Sequence, residues 1–227
     1  MNQQVTSLTA TFKTVTAFGA KYVTDFPVAS LAGQQFALVS AAVTSTAALG
    51  GTQVSGADTA HSGALSKAAL RLHLHDDLAG IADAAHSLAL LGAPGLDGKF
   101  FMPRSAGDQA LLNAARAFQT DAAPFSAPFT SLGLATDFLT HLGADITAFE
   151  SAINTKGAGM GTQSGATGGL EDAAHKAGIA LHILNTIVKN TYKNNPAKLA
   201  EWATASHVEK HTPVKRAKPA TITPPAK

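Results

Sequence analysis

The stretch L-R-L-H-L-H-D-D-L-A-G-I-A-D-A-A-H-S-L, residues 70–88, decides how the chain folds. Leu70, Leu74, Leu78, Ile81, Ala85 and Leu88 recur three and four residues apart. That spacing stacks side chains on one face of a helix of 3.6 residues per turn. His75 and His86 fall more than about 100° away from this stripe on a helical wheel. They share that second side with Leu65, Leu72 and Ala79. A helix apolar on one side, with aliphatics and histidines mixed on another, buries more than a single face.

The same periodicity continues in both directions. Upstream, Leu31, Phe36, Val39 and Val43 extend helix almost throughout the segment from Pro27 to about Leu91. Before it, Leu8, Phe12, Val15, Gly19, Tyr22 and Phe26 form a first helical stripe, and Pro27 either breaks the run or starts a new helix at its first position. Downstream, G-A-P-G-L-D-G-K-F-F-M-P-R, residues 92–104, reads as a loop. Ser105 followed by Asp108 marks a helix start, because a short acidic side chain in the first turn favours the free N–H groups there. Leu111, Leu112, Ala115 and Phe118 carry that helix, and Pro124 and Pro128 interrupt it. Ala135, Phe138, Leu142, Ile146, Phe149 and Ile153 form another stripe over residues 134–155. Leu170, Ala174, Ala177, Leu181, Leu184 and Val188 form one over residues 169–193. Asn195-Pro196 then opens a short final helix anchored by Leu199 and Trp202.

Two glycine-rich centres divide these stripes. G-T-Q-V-S-G-A-D, from Gly51 to Asp58, is echoed by G-T-Q-S-G-A-T, from Gly161 to Thr167. Each precedes a His-bearing helix; shared Gly/Ala/Thr composition accounts for the echo more simply than a duplication of hairpins. Gly50-Gly51 and Gly157–Gly161 are either turns or points of close packing inside continuous helices, and periodicity does not separate the two.

Composition narrows the function classes. The 227 residues are 45% hydrophobic and 14% charged, and none is Cys. Disulfides, thiolate metal sites and thiol nucleophiles are therefore excluded. Residues 26–57 carry no formal charge, yet Gln34, Gln35, Gln53 and many Ser and Thr break any apolar run long enough to span a bilayer. The N-terminus lacks a basic region followed by an apolar core, so no signal peptide is expected and the location expected is cytoplasmic. From His207 onward, Lys210, Lys215, Arg216, Lys218 and Lys227 stand against Glu209, a tail of +4 on a chain of net +2. The body is mildly acidic at −2. The tail is Pro- and Lys-rich and is expected to be disordered over residues 207–227, leaving one helical domain over residues 1–206. Neutralising phosphates through this tail is a weak nucleic-acid signal, with few cations and no interleaved aromatics.

The motif with the most chemistry in it is an aspartate followed three residues later by histidine. It occurs as Asp58–His61, Asp83–His86 and Asp172–His175, with Asp137–His141 four apart. Asp83 and His86 from one helix and Asp172 and His175 from another make a two-His, two-carboxylate set that suits Fe, Zn or Mn. The simpler reading is local pairing of each Asp with its His at the surface. His73 and His75 in H-L-H-D-D point too far apart to share a metal, and the cluster reads as solvated. The loop at residues 92–100 is out of register with a phosphate-binding loop and lacks Ser or Thr after Lys99. No hydrolase or metalloprotease signature occurs.

The segment I-V-K-N-T-Y-K-N-N-P-A-K-L-A-E-W-A-T-A-S-H-V-E, residues 187–209, resembles the ending of a group of uncharacterised bacterial helical proteins. These run a long helix, an Asn- or Asp-Pro break and a Leu/Trp helix ending in Ser-His-Val-Glu. The resemblance implies an all-helical bacterial protein and supplies no activity or ligand.

These readings lead to an all-α, elongated antiparallel helical bundle with a short C-terminal helix and a disordered basic tail. The function expected is a non-enzymatic structural or protein–protein interaction module with no cofactor. Self-association or a protein partner would use the second helical face, at Leu72, His75, Ile179 and His182. A bundle binding divalent metal through the Asp/His pairs is the alternative.

Overall fold

The computed structural model describes residues 3–96, 98–104 and 107–208. Among these, all regular structure is helical: α1 (Gln3–Lys21), α2 (Leu31–Leu90), α3 (Asp108–Ala122), α4 (Ser126–Ser131), α5 (Phe138–Thr191) and α6 (Pro196–Ala205). A 3₁₀ turn, Ala123–Phe125, joins α3 to α4. The helix start expected at Ser105 lies outside the described residues. Helix α3 begins at Asp108 behind an extended Gly107. The tail expected to be disordered is described only at His207 and Val208; residues 209–227 lie outside.

Both glycine-rich centres are helical. Gly50 and Gly51 lie inside the 60 residues of α2, and Gly157 to Gly169 lie inside the 54 residues of α5. The chain forms two compact units, residues 1–51 with 166–227 and residues 52–165, and each long helix is divided between them.

In the unit of residues 52–165, the stripe Leu74, Leu78, Ile81 and Ala85 of α2 is buried against Leu142, Ile146 and Phe149 of α5. Leu111, Leu112, Ala115 and Phe118 of α3 close the same core. The loop after α2 completes it: Leu96 and Phe100 are buried, and Phe100 packs edge-on against Phe118 and Phe129 at 5.2 and 5.8 Å. Phe100 has φ 61°, a left-handed backbone that costs an L-residue about 1–2 kcal/mol, so burial of its ring holds it there. Asp108 accepts hydrogen bonds of 2.6 Å from both Lys67 and Arg71 of α2. Lys67 first and Arg71 second hold its carboxyl below the usual carboxylate range.

Further along the same pair, the helices approach through glycine. A Cβ on Gly56 would lie 2.7 Å from the Gln163 backbone N, one on Gly159 2.4 Å from Ala60 N, and one on Gly63 2.6 Å from Lys156 N. The partner number falls as the α2 number rises, so the two helices run antiparallel here.

The other unit is built on aromatics. Phe12, Phe18, Phe26, Phe36, Tyr192 and Trp202 are buried together with Val39, Leu184 and Val188. Pro196 sits in the first turn of α6, where its missing N–H costs nothing, and the Asn195 side chain accepts a hydrogen bond from Lys198 N at 3.1 Å. Trp202 then packs edge-on against Phe18 and Phe36 and donates Nε1–H to Asn185 Oδ1 at 3.1 Å. Polar clasps flank it. Tyr192 and Lys198 both donate to Asp25 Oδ2 at 2.6 Å, while Lys21 and Tyr22 donate to the two oxygens of Glu201 at 2.7 Å. Lys198 also lies over the rings of Tyr22 and Tyr192, 4.7 and 4.5 Å from their centroids. Residues 192–202 thus supply one side of the contacts that dock α6, and residues 18–36 with Asn185 the other.

These clasps are expected to weaken in acid. The Lys198 hydrogen bond, aided by Tyr192, holds the Asp25 carboxyl below its ordinary value, and the Lys21 hydrogen bond, aided by Tyr22, does the same for Glu201. Burial, reinforced by Asp25, pushes the Tyr192 hydroxyl up, so it stays a donor. A lowered carboxyl pKa stabilises the fold above its unfolded value, and that contribution is lost as pH falls through the folded value. Trp202 is the one tryptophan of the chain. Its emission is expected to shift to the red as pH falls below about 4, the ordinary carboxylate range. Emission unchanged down to the acid limit of global unfolding would sink this account.

Candidate interaction groove

The second helical face predicted from periodicity faces solvent in both units. Leu72 is 67% exposed and Ile179 51% exposed. His75 and His182 are exposed beside them. In the unit of residues 52–165 this face carries Leu65, also exposed, together with Leu72. In the aromatic unit it is concave. Gln4, Val5 and Leu8 of α1 and Glu171, Ala174, His175, Gly178, Ile179, His182 and Ile183 of α5 line a groove of about 590 Å³.

The groove follows from the helical register. Leu170, Ala174, Ala177, Leu184 and Val188 of α5 turn toward the core, which leaves Ile179 and the two histidines on the far side. Val5 and Ala174 are buried and make its floor. Gly178 keeps the floor open, since a Cβ there would meet nothing within 4 Å. Aliphatic walls with a carboxylate, an amide and two imidazoles at the rim suit the apolar face of a helix better than a small polar substrate.

The four Asp/His pairs fare differently. Asp137 and His141 close to 2.9 Å at the surface. Asp172 instead accepts from Lys176 at 2.7 Å, one turn further on. His175 turns into the groove. Asp83, His86, Asp58 and His61 are exposed. Asp83 and His86 belong to one compact unit, Asp172 and His175 to the other. Among the described residues, no three carboxylate or imidazole side chains group as metal ligands.

Periodicity also missed a group. Asp77, read as part of a solvated H-L-H-D-D cluster, turns inward. Its Oδ2 is buried with no hydrogen-bond partner, whereas Asp76 stays 84% exposed beside His75 at 3.8 Å. Burial first, and Asp145 of α5 second, push the Asp77 carboxyl up from its ordinary value. A signal was present: Asp77 lies three residues after Leu74 and four before Ile81, so it shares their side of the helix.

None of the described helices is long and apolar enough to cross a membrane. Compared with family models, curated proteins and solved structures, the chain matches none.

Proposed function

We propose that this chain is a non-enzymatic helical interaction module of the bacterial cytoplasm, and that the groove between α1 and α5 is its contact surface. The observation that carries the reading is Ile179, half exposed in an aliphatic-walled groove beside Ile183. Covering the exposed half of this side chain contributes about 1 kcal/mol to an association, roughly half the value for full burial. The ligand this favours is the apolar face of a helix, supplied by a second copy of the chain or by another protein.

Sedimentation velocity over a range of concentrations tests it. The wild-type chain is expected to associate, and Ile179→Glu to weaken that association by about tenfold or more, since a charge replaces the buried aliphatic. Equal association of both proteins would reject the groove. A wild-type chain that stays monomeric would transfer the role to a different protein partner, sought with the Ile179→Glu protein as the control.

A metal-binding module using Asp83, His86, Asp172 and His175 is the alternative. It has less support, because Asp172 is engaged by Lys176 and, among the described residues, no three carboxylate or imidazole side chains group as metal ligands. Near-stoichiometric Fe, Zn or Mn in elemental analysis of the untagged protein would favour it over the interaction reading. Nucleic-acid binding would rest on the basic residues beyond Val208 alone, and removal of residues 211–227 tests it through salt-dependent binding.

A further inference from the structure

The acidic residues in the α2–α5 seam of residues 52–165 occupy matched positions. Asp77 lies between Leu74 and Ile81, and Asp145 lies between Leu142 and Phe149, each three residues after one buried side chain and four before the next. Both are half-buried where their neighbours in the seam, Leu74, Ile81, Leu142 and Phe149, are hydrocarbon. Asp77 Oδ2 is buried, and after burial the strongest influence on its carboxyl comes from Asp145 of the opposite helix, another acid within side-chain hydrogen-bonding reach. Two carboxylates at a low-dielectric seam cannot both ionise without a cation or a large separation. A single proton between them removes the conflict by turning one carboxyl into a donor.

We propose that Asp77 and Asp145 share one proton, and that the α2–α5 seam of this unit is closed while the proton is held and loosens when it leaves. The other charged groups acting on Asp77 are His141 of α5 and His73 of its own helix. Both are exposed, and His141 is tied to Asp137. Asp76, Asp77 and His141 line a cavity of about 270 Å³, whose remaining wall is Gly80, Ile81, Leu134, Ala135 and Phe138. That cavity gives water a route to the seam once the pair ionises.

The sign opposes that of the aromatic unit. A carboxyl raised in the fold stabilises it below the unfolded value near about 4, and the contribution is lost as pH rises through the folded value. For one proton the limiting effect is about tenfold in the opening equilibrium per pH unit. The tryptophan and both tyrosines lie outside this unit, so amide hydrogen exchange is the readout. In the full-length protein, protection of residues 74–85 and 142–152, corrected for intrinsic rates, is expected to fall as pH rises above the ordinary carboxylate range of about 4. Asp77→Asn and Asp145→Asn should each abolish the fall, and Asp76→Asn should leave it intact. Carbon-13 shifts of the side-chain carboxyls test the proton directly: one of the two is expected to titrate above the ordinary carboxylate range. Ordinary titration of both overturns the proposal, and so does an unchanged pH profile in the two seam variants.

Discussion

Truncating Trp202 to alanine is expected to cost the aromatic unit about 3–5 kcal/mol, the largest effect of any single side chain here. The ring is 1% exposed and sits against Phe18 at 5.0 Å. Its removal leaves a cavity between α1, α2 and α6 that helices pinned by Asp25–Lys198 and Lys21–Glu201 cannot readily collapse. It also deprives the Asn185 carbonyl of its donor. Urea unfolding followed by circular dichroism gives the comparison, since the fluorescent probe is itself removed. Leu72→Ala, on the exposed face, should stay within about 0.5 kcal/mol of wild type. A Trp202→Ala protein as stable as Leu72→Ala would mean that α6 is not part of the cooperative unit.

The second prediction turns one substitution into two opposite results within a few residues of α5. Glycine to alanine ordinarily stabilises a helix by about 0.5–1 kcal/mol. At Gly157, Gly161 and Gly165 an added Cβ meets nothing within 4 Å, so the triple alanine variant should gain about 1.5–3 kcal/mol. At Gly159 the same atom would lie 2.4 Å from Ala60 N and 2.8 Å from Gly56 O, both backbone. The helices must part to admit it, and overpacking of this kind costs about 1–3 kcal/mol. Gly159→Ala should therefore destabilise despite its better propensity. Denaturant midpoints of the two proteins decide the matter, and a Gly159→Ala protein that gains stability would show that α2 and α5 do not meet there.

The contrast explains what could be read from the chain and what could not. Most of each leucine-rich stripe proved to be a buried face, Leu31 at the start of α2 and Ala135 being exposed, because a large apolar side chain records its own burial through its spacing. Leu74, Leu78, Ile81 and Leu142 are examples. Glycine records nothing of the kind: Gly51 and Gly56 are equally consistent with a turn and with a helix interior, and only the partner helix separates them. The clasps on α6 were hidden for another reason. Asp25 and Lys198 are 173 residues apart, and Lys21 and Glu201 are 180 apart, so no local period connects them. The exposed face with Leu72, His75, Ile179 and His182 was legible as a face. That α1 turns its α5 part into a groove was not, since α1 and α5 meet only in the folded chain. Asp77 escaped because a charge in a hydropathy pattern is taken for a surface residue whatever its register.

The glycine seam between residues 56–63 of α2 and 156–163 of α5 also sets how this part of the molecule answers to temperature. Heat capacity rises on unfolding in proportion to the hydrocarbon newly wetted, about 0.45 cal/K/mol for each Å². Backbone laid against backbone wets almost none, whereas the aromatic cluster around Trp202 wets a great deal. Chilling, which weakens contacts made by hydrocarbon, therefore acts on the rings and nearly spares the seam.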